Sequence, residues 1–304
     1  MASAEKISDY LTKRELRTLS KPRDLRAVGS LLLNWALIAV SFAIAIIWTS
    51  PITILLGILL LGGRQLGLGI LNHDCAHHSL FKSKSANNFV GHWLCGAPIN
   101  VSVYAYRTYH LKHHRHAGTI EDPDRIFVAN YPISSSSLKR KLVRDVTGQT
   151  GFRDLVQSLR SFKISKNYPW LIFHMSLLCV LTLIGAPWAY LMWWGAELFI
   201  YPALTRIRQI GEHGVAIDRD SLDPRDNTST TLTSWWEKLL IAPNNVNYHL
   251  EHHHFAAVPG YNLPKLHRLL SERGYYKQHD CISNGYLDVL RRAVKSHHRT
   301  TAAA

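Results

Sequence analysis

The sequence predicts an all-α fold: an integral-membrane bundle of about four transmembrane helices in two hairpins, with a helical cap on one side. Three observations predict it. The apolar residues, part of a 47% hydrophobic composition, are gathered into long uncharged blocks, whereas a soluble helix spreads them as a stripe. The blocks occur as two pairs, each joined by a short turn. Both turns lack Lys and Arg, which crowd the remaining segments.

The elements follow in order. The opening segment is rich in charge, with Lys13, Arg14, Arg17, Lys21, Arg23 and Arg26. It has no short apolar core ahead of a cleavage site, so no signal peptide is expected. Residues 27–50 are apolar and uncharged, and about 20 such residues cross the hydrocarbon core as a helix. Pro51 opens the second predicted span, residues 51–72, which makes Thr49, Ser50 and Pro51 a tight turn. Residues 169–187 and 188–210 form the second pair, hinged at Gly185, Ala186 and Pro187, with Trp170, Trp188, Trp193 and Trp194 as interfacial anchors. The cap is then residues 73–168 and 211–304 of a single domain, 1–304. With cations excluded from the turns, the positive-inside rule places both termini in the cytoplasm. Residues 88–106 are moderately apolar but interrupted by Gly91, Gly96 and Pro98. A crossing there would put the flanking histidines on opposite sides of the membrane, so the segment is expected to be interfacial or re-entrant.

Composition narrows the function classes. The net charge of +14 accompanies apolar blocks and not an aromatic-interleaved groove, which favours a membrane surface over nucleic acid. Cys75, Cys95, Cys179 and Cys281 lack CxxC spacing, so neither a zinc knuckle nor a disulfide framework is indicated.

Most of the 18 histidines fall in three short runs. In N-H-D-C-A-H-H, His73 and His77 are four apart and share a helix face. H-L-K-H-H places His110, His113 and His114 at i, i+3, i+4, and N-Y-H-L-E-H-H repeats that spacing with His249, His252 and His253. Imidazole ligates iron, copper and zinc. One zinc ion is satisfied by about four ligands, so eight clustered histidines point to two metals. His78, His116 and His254 fall off the spacing, and His92 and His174 are isolated; none is expected to ligate.

The set H-D-C-A-H-H, H-L-K-H-H and H-L-E-H-H, divided by a helical hairpin, resembles the three histidine boxes of membrane fatty acid desaturases and hydroxylases. The resemblance runs from about Arg64 to Leu270 and includes Asp122, Pro123 and Asp124 after the second box. It implies a non-haem di-iron centre, O2 as co-substrate and a fatty acyl substrate. It also implies one more ligand at the end of the last span, here His213, with Gln209 four residues earlier placed to hold a metal-bound water. All nine histidines would act in catalysis through the metals.

Ligating imidazoles usually donate their second N–H to a carboxylate or carbonyl, and Asp74, Asp122, Asp124, Glu212, Glu251 and Asn247 are placed for this. Glu251, at i+2 from His249, points off the ligand face, which leaves a solvated role equally open. Arg64 and Glu197 lie in predicted spans, where ionisable groups are paired or functional; their difference in depth disfavours a mutual ion pair. Trp193, Trp194, Phe199 and Tyr201 are candidates for lining an acyl tunnel. No haem segment, Rossmann fingerprint or iron–sulfur cysteine set is found. An external ferredoxin, rubredoxin or cytochrome b5-like donor is therefore expected; Lys139, Arg140, Lys141 and Arg144 either steer it or are positive-inside residues beside lipid headgroups, and both readings stay open. Histidine at the head of the third box argues against front-end desaturases, and the first box resembles the methyl-end acyl-lipid type. The residues leave open desaturation, hydroxylation, ketolation or terminal-carbon oxidation, and also non-catalytic metal binding. A bacterial cytoplasmic membrane is the favoured location, with endoplasmic reticulum as the alternative.

Overall fold

The computed structural model describes residues 7–295; the ends of the expected domain and cap, at residues 1 and 304, lie outside the described residues. In chain order the helices begin with α1 (Lys13–Leu19), α2 (Asp24–Ile47), α3 (Pro51–Ala76), α4 (Lys84–Phe89) and α5 (Val103–His116). Next come α6 (Arg125–Val128), α7 (Ser135–Val146), α8 (Gln149–Arg160), α9 (Ile164–Leu183), α10 (Tyr190–Gly195) and α11 (Tyr201–Gln209). The last are α12 (Pro224–Asn227), α13 (Trp235–Leu240), α14 (His249–His254), α15 (Leu263–Glu272) and α16 (Gly285–Arg292).

The first hairpin is α2 and α3, packed along each other. Its turn is fixed by local chemistry. The Ser50 hydroxyl accepts from the Thr53 N–H at 3.2 Å and the Thr53 hydroxyl accepts from the Ser50 N–H at 3.1 Å. This is a reciprocal cap with Pro51 at the first helical position. Both helices are long and apolar enough to cross a membrane. Exposed Leu25, Leu32, Leu33 and Ile47 give α2 an outward apolar face of the kind that meets lipid. α3 instead becomes the centre of the molecule, buried from Leu61 to Ala76 except at Gly69. It runs four residues past the expected end and thereby carries His73 on its last turn.

The second pair departs from the expectation in detail. α9 begins five residues before Pro169, which lies inside the helix. The hinge is where the sequence places it, with Gly185 at φ +77°, a left-handed conformation suited to glycine. The returning rod is no uninterrupted α-helix: wide π-turns at Ala196–Ile200 and Ile210–Gly214 divide it. Such turns insert a residue and recur at functional sites.

The segment 88–106 doubles back. α4 continues into a π-turn, Val90–Gly96, and a 3-10 turn, Ala97–Ile99. Asn100 then takes φ 53° and α5 returns beside α3. A side chain at Gly91 would place its Cβ 2.7 Å from Cys75 Cβ, which shows how closely this loop approaches α3. Contrary to the expected all-helical cap, β1 (Thr230–Leu232) and β2 (Ile282–Asn284) pair in parallel. Two three-residue strands with no alternating apolar pattern leave almost no signature in the sequence.

Candidate metal centre

Four segments deliver the histidines to one place. α3 ends with His73, and His77 caps its C-terminus. α5 carries His110, His113 and His114, the last π-turn carries His213, and α14 carries His249, His252 and His253. Their ligand nitrogens form two groups. His73, His77, His110, His114 and His252 make one, while His113, His213, His249 and His253 make the other, with all nitrogens in each group within 4.8 Å of one another. His78, His116, His254, His92 and His174 belong to neither group. His174 sits 2.8 Å from the Tyr190 hydroxyl, stacked on Trp194.

Second hydrogen bonds orient the rings. His113 Nδ1 lies 2.7 Å from Asp122 Oδ1, and His73 Nδ1 lies 3.0 Å from Asp74 Oδ1. His213 Nδ1 donates to the Asn227 carbonyl at 3.0 Å. A carbonyl can only accept, so the Nδ1 of a neutral His213 holds the proton and its Nε2 presents a lone pair. That Nε2 faces His249 Nε2 at 2.9 Å; His113 and His253 oppose their Nε2 atoms at 3.1 Å; His114 Nε2 meets those of His110 and His252 at 3.0 Å each. Converging imidazole nitrogens of this density are poorly satisfied by each other and well satisfied by a shared cation.

Burial favours the neutral, ligating form. It lowers His77 to about 4 and His213 to about 3, and holds His110, His249, His252 and His253 below the usual histidine range. His113 runs against this trend. Burial alone would lower it, but the Asp122 hydrogen bond and nearby carboxylates raise it. Glu212 is pushed up to about 7 by burial and accepts from Arg208 at 2.5 Å. Gln209 lines a void of about 40 Å³ together with His113, His213 and His249. The donor set, its spacing and, His113 apart, the neutral form that burial favours all fit two metal ions.

The sequence profile of the fatty acid desaturases matches residues 48–283, which include all nine histidines. The chain belongs to the fatty acid desaturase family. It is 25% identical to a dihydrorhizobitoxine desaturase of Bradyrhizobium elkanii over 76% of this chain and 70% of that protein. It is 35% identical to an sn-1 acyl-lipid omega-3 desaturase (ferredoxin) of Synechocystis, over 38% of this chain and 30% of that protein. A human sphingolipid delta(4)-desaturase/C4-monooxygenase, DES2, is 26% identical over 67% of this chain and 61% of its own length.

Several expectations for this desaturase-family chain need correction. Glu251 does point off the ligand face, but it is fully buried, not solvated. It lies 2.6 Å from His267 Nδ1 and accepts from the Thr230 hydroxyl at 2.5 Å and from the Tyr276 hydroxyl. Asn247 supports strand β1 and not an imidazole: its amide donates to the Thr231 carbonyl at 2.9 Å, and its Oδ1 has no partner among the described residues. Asp124 stands 3.8 Å from His113 Nδ1 and accepts from the Tyr109 hydroxyl, so it backs Asp122. Arg64 and Glu197 do not meet, as their difference in depth predicts. Glu197 accepts from the Trp193 indole at 3.2 Å, while Arg64 turns to Asn34 and the Leu239 carbonyl. Trp193 is fully buried against Phe173 and Trp194 stacks on His174, so both are packing groups. Phe199 packs on Phe152, and Tyr201 lines a cavity beside Gln65 and Glu197.

The sequence also hid contributors. Tyr106 stacks on His110 with ring centroids 5.1 Å apart. The Gly260 N–H donates to Asp74 at 3.1 Å, and His267 and Tyr276 anchor Glu251. A lone tyrosine, a backbone amide and a single histidine carry no spacing signal; contact across the fold defines them.

Proposed function

We propose that the nine histidines hold two iron ions and that the chain is a membrane oxidoreductase that desaturates a long-chain fatty acyl group with O2. The observation that carries this reading is the convergence of the nine nitrogens into two groups inside the family-matched region. When bound, the iron pair supplies reductive activation of O2. The acyl chain loses two hydrogens, an external donor gives two electrons, two protons are taken up from solvent, and O2 leaves as two water molecules. The protein's own part is positional. Asp74, Asp122 and the Asn227 carbonyl hold Nδ1–H bonds that fix the ring planes. Gln209 and Glu212 border the void beside the second group and are placed to hold water or a proton there.

The donor is external, and the ferredoxin in the Synechocystis relative's description favours a ferredoxin over a rubredoxin or cytochrome. The second helical pair joins α2 and α3 as membrane spans, giving four with both termini cytoplasmic, in a bacterial cytoplasmic membrane by preference. Hydroxylation is the second reading, favoured by the monooxygenase activity in the human relative's description. Where the substrate carbon sits relative to the irons decides between them, because small displacements outweigh intrinsic reactivity. Expression in a host of known lipid composition, followed by mass spectrometry, tests both readings. Loss of two hydrogens supports desaturation and gain of oxygen supports hydroxylation. Tightly held zinc without turnover refutes both. His113→Ala and His252→Ala, one from each group, are each expected to abolish turnover and lower iron content.

A further inference from the structure

Arg64 is 5% exposed on α3. Its partners are neutral: Asn34 Oδ1 at 3.4 Å and the Leu239 carbonyl. No ion pair among the described residues involves it. Two other arginines of the bundle differ, since Arg206 pairs with Asp145 and Arg208 with Glu212. A guanidinium withdrawn from water without a carboxylate is costly and usually marks a partner still to come.

A cleft of about 380 Å³ opens beside it, between α2, α3 and α13, with Leu33, Leu37 and Leu71 among its walls. Its second cation is Lys238, which is exposed, and Trp235 on the same rim is 77% exposed. An indole so placed suits a membrane interface, where an apolar ring and a polar N–H are both satisfied. At its other end the cleft shares Asp74 and Asn244 with a smaller void that touches His73, His249 and His252. The cleft's carboxylate, Asp74, is already engaged with His73 Nδ1 and the Gly260 N–H. It also lies ten residues from Arg64, about 15 Å along the helix, so it does not oppose an anion there.

We propose that this cleft is a head-group subsite for an anionic lipid, in which Arg64 and Lys238 receive a phosphate or carboxylate and the acyl chain follows α3 toward the histidines. The inference deepens the proposed function and rests on it for what lies at the chain's far end. Nine residues separate Arg64 from His73, which sets the reacting carbon about 14 Å from the charge.

Binding tests it independently of turnover. The full chain in detergent is titrated with brominated oleic acid, its methyl ester, brominated phosphatidic acid and brominated diacylglycerol, and quenching of tryptophan fluorescence is read. At least one charged lipid is expected to bind about tenfold or more tightly than its neutral counterpart, the scale of a charge-assisted hydrogen bond. Whichever pair shows that ratio identifies carboxylate or phosphate. Lys238→Gln, a surface change, should reduce the ratio and Arg64→Gln should erase it. Equal binding of charged and neutral lipids, or a ratio unchanged in Lys238→Gln, overturns the proposal even if Arg64→Gln fails to fold. Charge-selective binding in a protein that never turns over would refute the enzymatic reading and leave the subsite standing.

Discussion

Asp122 gives the sharpest test of the proposed centre, because its contact with His113 is short and mostly shielded from solvent. The 2.7 Å approach of its Oδ1 to His113 Nδ1 joins a carboxylate 11% exposed to an imidazole 1% exposed. The same carboxylate accepts from the Asp124 N–H at 2.9 Å. Removing an orienting partner of a ligating histidine typically costs about 10- to 100-fold in metal affinity or activity, or about 1.4–2.7 kcal/mol. Asp122→Ala is expected near the upper end, since it removes both the acceptor and the charge that raises His113. Asp122→Asn can still present an Oδ1 to the Nδ1–H, so it should fall between Ala and the unaltered protein. The assay is iron per chain by elemental analysis under limiting iron, with lipid product from the same preparations. If Asp122→Ala keeps full iron and turnover while its melting temperature drops, the contact only supports the loop, and the orienting role is refuted.

Other substitutions probe neighbouring steps. Glu251→Ala leaves the His267, Thr230 and Tyr276 donors unpaired in a buried site, at about 1–3 kcal/mol each; thermal unfolding should shift down strongly, and Glu251→Gln should recover part of the loss. Gly91→Ala puts a Cβ 2.7 Å from Cys75 Cβ, an overpacking worth about 1–3 kcal/mol; an unchanged melting temperature would show that the doubled-back segment is not pressed on α3. His78→Ala should leave iron content unchanged, because His78 lies outside both groups; loss of an iron would require a revised ligand set.

Much of this was legible because helices convert spacing into direction. Apolar blocks located α2, α3 and the hinge at Gly185, and the i, i+3, i+4 pattern found the histidines before any contact was known. The re-entrant reading of residues 88–106 rested on a requirement of chemistry, that the boxes share one side, and α5 does return beside α3. What the sequence concealed is made by long-range contact. The phase of Glu251 on α14 leaves a solvated role as open as an orienting one, because nothing local shows that α15, β1 and the Tyr276 segment close over it. The π-turn at Ile210–Gly214 is equally silent, since its widened hydrogen bonding answers to tertiary packing and not to local propensity.

Spacing also misleads in one instructive way. Residues at i and i+4 diverge by about 40° around a helix, whereas i+3 lies about 60° to the other side. A box therefore presents a pair and a flanking third residue, and the structure uses the two differently. α5 gives His110 and His114 to the first group and its flanking His113 to the second. α14 does the reverse, giving His249 and His253 to the second group and its flanking His252 to the first. Each helix thus lends its i+3 histidine to the other's centre, so neither group is complete without both helices. Boxes do not correspond to metals. The fold must bring α5 and α14 face to face before either site exists, which couples assembly of the cap around α3 to formation of both proposed iron sites at once.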